Sequence, residues 1–232
     1  MKYALAILLL AAWPLGQVRS AAKLDFVERV LGGPTTEPLP LLIALHGLGD
    51  TPEHFAELFE ELGVPVRLVL PRAPDPWQVG SSWFPIDDPK RAPGVLLARA
   101  KQLAELAAEL TKTRKVHGLP VVTGFSQGGC LSYALAAYHS ERFRAAVPVA
   151  GLLPSKVPAY KKARDEFRVI GFHGADDRRI PLADGKSTVA QLERVGTRAT
   201  LATYEGVGHG LSPPEERDYR AALRELLDTA QP

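Results

Sequence analysis

The sequence predicts an α/β domain with a mostly parallel central sheet and helices on both of its faces, and three observations carry that prediction. Two continuous apolar runs bounded by turn residues, PLLIAL at 40–45 and LPVVT at 119–123, suit strands covered on both faces. Between them, residues 95–110 place Leu96, Leu103, Leu106 and Leu110 along one face of a helix. Strands that alternate with helices pair in parallel through right-handed crossovers. A chain of 232 residues, 46% hydrophobic and 23% charged, suits a single domain with a substantial core, and no internal repeat or linker divides it.

Residues 1–20 read as a signal peptide and 21–232 as the mature domain. Lys2 is a short basic start, residues 3–13 are apolar, and Pro14 and Gly16 break the run before small residues at Ser20, Ala21 and Ala22, where cleavage is expected. The run is shorter than the roughly 20 residues that span a bilayer. The expected location is therefore secreted or periplasmic, without stable membrane insertion after processing; an uncleaved N-terminal anchor is the rival reading. No cysteine follows the run, which excludes lipoprotein attachment. The formal net charge is +2, and Lys2 and Arg19 both lie in the leader, so the mature chain is neutral and nothing in its charge points to nucleic acid. The single cysteine, Cys130, leaves no intramolecular disulfide and reads as a small buried hydrophobe.

In chain order, residues 25–31 suit a first strand and 32–40 a turn-rich connector. After the strand at 40–45, Thr51 can N-cap a helix with Pro52 at its first position and Glu53 in its first turn, running to about Leu62 and ended by Gly63. A strand at 67–70 leads into 72–94, a long irregular stretch that holds Trp77, Trp83 and Phe84 among prolines. A loop of that length is either functional or a surface loop pinned by its aromatic residues. The helix at 95–110 delivers the chain to the strand at 119–123. A helix at 127–138, strands at 145–149 and 168–172, a helix at 187–195, a strand at 199–204 and a helix at 215–227 complete the pattern.

The chemistry centres on Gly124, Ser126 and Gly128, which match G-x-S-x-G, a strained strand-to-helix turn that lifts a serine hydroxyl out of a sheet. A serine needs a base to take its proton, and the base needs a third group to hold it. On such elbows the partners follow in the order acid, then histidine. Of the six histidines only His139, His173 and His209 come after Ser126. His139 has no acid between it and Ser126, and His173 precedes the plausible acids. His209, in the glycine-rich GVGHG, is the expected base. The acid should sit at the carboxyl end of the preceding strand, where HGADDRRIP supplies Asp176 and Asp177; the residues alone favour neither. The oxyanion donors are expected to be the backbone N–H of Gln127 and, from HGLGD, that of Leu48, with His46 structural.

HGLGD, GFSQGG, HGADDRRIP and GHG, in this order across residues 45–210, resemble the phospholipase/carboxylesterase branch of the α/β-hydrolase superfamily, which includes the acyl-protein thioesterases. The resemblance implies an α/β-hydrolase fold and a serine esterase that needs no metal or organic cofactor and acts on a small-molecule ester; the connector at 151–167 is too short for a large lid. It assigns the nucleophile to Ser126, the acid to Asp177 and the base to His209. It also places a Trp-Phe pair, here Trp83 and Phe84, near the acyl pocket. That pair is typically followed by an aspartate, whereas Pro85 stands here and Asp87 comes later. The signal-like N-terminus also departs from the intracellular thioesterases. The expected activity is that of a small secreted carboxylesterase cleaving carboxylic or thio esters, with lysophospholipase, acyl thioesterase and polyester or feruloyl esterase as alternatives in substrate. A non-catalytic binding protein is the alternative in class.

Overall fold

The computed structural model describes residues 24–228 apart from Thr35, Pro89 and Lys156; the expected leader, 1–20, lies outside the described residues. Nine strands are present among them: β1 (Phe26–Leu31), β2 (Leu41–Leu45), β3 (Val66–Pro71), β4 (Asp75–Trp77), β5 (Gly80–Ser82), β6 (Val121–Phe125), β7 (Ala145–Val149), β8 (Arg168–Gly174) and β9 (Arg198–Tyr204). Five helices alternate with them: α1 (Pro52–Phe55), α2 (Ala92–Thr113), α3 (Gln127–Tyr138), α4 (Leu182–Arg194) and α5 (Pro213–Asp228). Seven strands form one sheet in the order β1-β3-β2-β6-β7-β8-β9. Only the β1–β3 pair in it is antiparallel.

Every residue of β2 is buried, and alternate side chains feed opposite cores. Leu41, Ile43 and Leu45 pack with Leu96, Leu103 and Leu131 of α2 and α3, whereas Leu42 and Ala44 belong to the cluster that holds Phe59, Tyr219 and Leu223 beside α1 and α5. Two-sided burial is what made these strands read as unbroken apolar runs rather than alternating ones. α3 is buried along its whole length, which suits the helix that carries the central turn.

Several boundaries differ from expectation for local reasons. Thr51 does cap α1, its Oγ1 accepting from His54 N at 3.3 Å, but the α-helix lasts only through Phe55 and continues as a 3-10 turn, Ala56–Phe59. α2 starts at Ala92, three residues earlier than expected, because Pro93 sits in its first turn where no N–H is needed. It ends at Thr113 rather than Leu110. The stretch 72–94 is not wholly irregular: β4 and β5 form a short hairpin. α4 starts at Leu182, five residues before Ser187, and runs straight through Gly185. That glycine serves packing rather than helix breaking, since a Cβ there would lie 2.8 Å from His173 Nδ1.

Candidate active site

The carboxyl ends of β2, β6, β8 and β9 bring the expected residues to one place. Ser126 stands between β6 and α3 with φ 56° and ψ −113°, a strained backbone of the kind that costs about 1–3 kcal/mol and persists only where its surroundings enforce it. Here Ser126 N–H donates to Val149 O at 3.0 Å, and Ser126 O accepts from Cys130 N at 2.9 Å. The flanking glycines are steric requirements: a Cβ on Gly128 would lie 1.9 Å from Leu45 O, and one on Gly124 2.5 Å from the backbone of Gly128.

His209 Nε2 lies 2.9 Å from Ser126 Oγ, and His209 Nδ1 lies 2.7 Å from Asp177 Oδ2. Asp177 is buried, and Arg179 N and Ile180 N donate to its Oδ1 at 2.8 and 2.9 Å. Burial alone would raise the pKa of this carboxyl, but the Ile180 N–H, the His209 ring and the Arg179 N–H outweigh it and hold it below the usual carboxylate range. Asp176, left open by the residues alone, is exposed, and its backbone N–H donates to Val207 O at 2.9 Å. An imidazole bonded at one nitrogen to an ionised acid and at the other to a hydroxyl can take the hydroxyl proton and keep the resulting imidazolium stable.

Gln127 is the first residue of α3, so its N–H has no acceptor within the helix. The HGLGD loop runs alongside, a Cβ on Gly47 standing 3.6 Å from Ser126 Cβ. Leu48 and Gln127 line the same cavity of about 810 Å³ as Ser126 and His209. Its further wall is mostly apolar, with Phe84, Leu96, Leu152 and Ile180. Cys130 also lines it, and burial pushes its thiol up to about 11, so it stays protonated and nonpolar.

The two aromatic residues expected near an acyl pocket separate. Phe84 lines the cavity; Trp83 does not, and is 0% exposed behind it. Trp83 Nε1 donates to His46 O at 3.0 Å, and Trp83 N donates to Gln127 Oε1 at 2.8 Å. Gln127 Nε2 in turn donates to Phe84 O at 2.8 Å. His46 donates from Nδ1 to Gly47 O at 2.8 Å and accepts at Nε2 from Ala73 N at 3.2 Å. Burial holds His46 below the usual histidine pKa, so it is neutral, in agreement with a structural role. Trp77 lies in a neighbouring groove with Asp75 and Arg99.

Two buried residues gain roles the sequence did not suggest: His173, weighed only as a base and set aside, and Glu215, which was missed. His173 donates from Nε2 to Ile180 O at 2.8 Å and so braces the turn that presents two N–H groups to Asp177; its ring stands 3.6 Å from Asp177 Oδ2. Glu215, at the start of α5, is fully buried. The spacing Ser212-x-x-Glu215 is a capping-box pattern that could have marked it. Among the described residues, no group of three His, Cys, Asp or Glu side chains is placed to hold a metal ion, and no helix is long and apolar enough to cross a membrane.

A family model described as Phospholipase/Carboxylesterase matches residues 30–226. Acyl-protein thioesterase 1 of Gibberella zeae is 29% identical over 212 residues, covering 80% of this chain and 90% of that protein. A rice protein named probable inactive carboxylesterase is 26% identical, covering 77% and 82%. In fold, the Bacillus cereus carboxylesterase superposes with a TM-score of 0.74 at 21% identity over 90% of this chain and 96% of that one. The chain thus has an α/β-hydrolase fold and belongs to the phospholipase/carboxylesterase family of carboxylic ester hydrolases.

Proposed function

We propose that this protein is an exported serine carboxylesterase in which Ser126, His209 and Asp177 act as a catalytic triad. The observation that carries the proposal is the unbroken contact chain from Ser126 Oγ to His209 at 2.9 Å and from His209 to Asp177 at 2.7 Å, opening on a largely apolar cavity. Ser126 Oγ attacks the ester or thioester carbonyl as its proton passes to His209 Nε2. The N–H groups of Leu48 and Gln127 stabilise the oxyanion. Collapse breaks the bond to the leaving group, which takes the proton from His209. Water, deprotonated by His209, then attacks the acyl-enzyme and releases the acid, restoring Ser126.

A cavity of about 810 Å³ with Phe84 and Leu96 in its wall suits an apolar acyl group. Among its described residues, the connector from β7 to β8 carries no helix that could cover it. Soluble short- and medium-chain esters are therefore the favoured substrates over emulsified long-chain lipids. Fluorophosphonate labelling with mass mapping tests the mechanism: the adduct should fall on Ser126, and Ser126→Ala should lose both adduct and esterase activity. A folded protein that takes no adduct, or a Ser126→Ala variant that stays active, would overturn it. Export is tested by sequencing the N-terminus of the protein recovered outside the cytoplasm. A mature chain beginning near Ala21 is expected, and retention of Met1 would refute it.

A further inference from the structure

The proposed mechanism uses only the backbone N–H of Gln127, yet the residue is buried and both ends of its side-chain amide are bonded to the segment that follows β5. Oε1 accepts from Trp83 N at 2.8 Å, and Nε2 donates to Phe84 O at 2.8 Å. Ser82 Oγ joins them, accepting from Gln127 Nε2 at 3.2 Å and donating to Phe84 O at 2.9 Å. A carboxamide is matched to this task. The N–H of Trp83 can only donate and the carbonyl of Phe84 can only accept, so the group between them must accept at one atom and donate at the other. The segment held in this way is a wall of the cavity: Phe84, Pro85 and Ile86 line it together with Ser126. The same segment is tied to HGLGD, through Trp83 Nε1 to His46 O at 3.0 Å and Gly49 N to Ser81 O at 2.9 Å. Residues 81–84 are thus bonded to both elements that carry the proposed oxyanion donors.

We infer, resting on the proposed esterase mechanism, that the side chain of Gln127 is a positioning residue for acyl selectivity, fixing the Phe84 wall relative to the oxyanion site. One residue then sets both ends of the acyl group's path. Its N–H receives the carbonyl oxygen, and its amide holds the wall against which the hydrocarbon tail packs. Without the amide, the Trp83 N–H and the Phe84 carbonyl lose their partner in a buried place, and the segment must shift to satisfy them. An acetyl group offers that wall a single methyl, whereas a hexanoyl group packs a tail along it. The loss of contact therefore falls on the longer chain, since selectivity between acyl groups is set methylene by methylene in an apolar pocket.

The test reads kcat/KM of wild type and Gln127→Met on the p-nitrophenyl esters of acetate, butyrate and hexanoate. Methionine has a similar length and keeps the backbone N–H, but it cannot bridge Trp83 and Phe84. Wild type should prefer hexanoate to acetate, and that preference should fall by about fivefold or more in Gln127→Met, whatever the overall loss of rate. Ser82→Ala, which removes one hydroxyl of the network and leaves the amide, should shift the preference the same way by a smaller factor. A Gln127→Met variant that keeps the wild-type preference overturns the inference, because a merely structural bond lowers the rate on all three esters alike. A wild type with no preference among them overturns it as well. If Gln127→Met does not fold, Ser82→Ala decides: a reduced preference supports the inference, and an unchanged one overturns it. A wild-type protein that takes no fluorophosphonate adduct removes the esterase reading and this inference with it, whereas an adduct on Ser126 with unchanged acyl preference in the variants removes this inference alone.

Discussion

The two loops that meet over Ser126 are built in opposite ways. HGLGD is wired from below: His46 bonds its own loop through Gly47 O, receives Ala73 N, and accepts Trp83 Nε1 at its backbone oxygen. The hairpin of β4 and β5 is stitched to the same loop, with Gly49 N donating to Ser81 O and Ser81 N to Asp50 O. The loop that carries His209 is tied mainly at its ends, through Val207 and Ser212, and Gly208 and Gly210 have open space where a side chain would go. In the proposed mechanism HGLGD supplies an oxyanion donor, and preorganised donors stabilise developing charge only if they are already in place, so rigidity on that side serves the proposed role. The proposed base would exchange protons with a serine, a leaving group and a water in turn, a role compatible with a loop fixed only at its ends.

The largest effect is expected where the loose side is fixed by one contact. Asp177→Asn would leave the fold intact but lose the charge that orients His209, and kcat should fall by about 10⁴-fold. Steady-state kinetics on the folded variant check this; a loss under tenfold would mean that His209 is held by something other than Asp177. On the rigid side the expected loss is of stability first. Trp83→Ala removes a fully buried ring together with its bond to His46 O. It should cost about 3–5 kcal/mol in denaturant unfolding. Phe84→Ala, by contrast, should alter acyl preference with far less effect on stability, because Phe84 lines the cavity while Trp83 stands behind it.

This division also marks what could be read from the chain. β2 and β6 were legible because two-sided burial writes itself as apolar runs, and the elbow because glycine was required on both sides of Ser126. The residues left Asp176 and Asp177 equal, and motif resemblance alone separated them; in the structure Asp177 is the one bonded to His209. The β4–β5 hairpin was hidden because its strands are short, partly exposed and stabilised by a loop some thirty residues earlier. The start of α4 was hidden because Gly185 looks like a breaker unless the His173 ring beneath it is known. Long-range contacts of this kind leave no local pattern; the resemblance alone placed Trp83 near the pocket, and in the structure it stands behind the cavity that Phe84 lines.

Glu215, buried at the start of α5, makes the stability of this side of the molecule sensitive to pH. Its folded pKa is raised to about 7, so between the unfolded value near 4.3 and that point the folded state binds more protons than the unfolded one. Stability attributable to this group is therefore complete below the lower value and declines as pH rises through the window. Glu215→Gln should flatten that decline. Denaturant melts of both proteins at pH 4.5 and 7.5 measure it, and equal slopes would show that Glu215 is ionised throughout.

A pair of glycine variants discriminates most sharply between the two loops, because the same chemical change is made in each and the smallest expected effect falls on the His209 side. In Gly80→Ala the new Cβ would stand 2.3 Å from Gly49 O and 2.4 Å from Asp50 O, so the hairpin and the HGLGD loop must part. A cost of about 1–3 kcal/mol is expected, with loss of activity as Leu48 shifts. In Gly208→Ala nothing lies within 4 Å of the new methyl group, and the backbone there is not in the left-handed region. Reducing the freedom of the unfolded chain should then stabilise the protein by about 0.4–1 kcal/mol. If the His209 loop needs its play for proton exchange, kcat of Gly208→Ala will drop even as the melting temperature rises. An unchanged kcat would mean that the glycines around His209 serve no motion, and that both loops over Ser126 work as fixed parts.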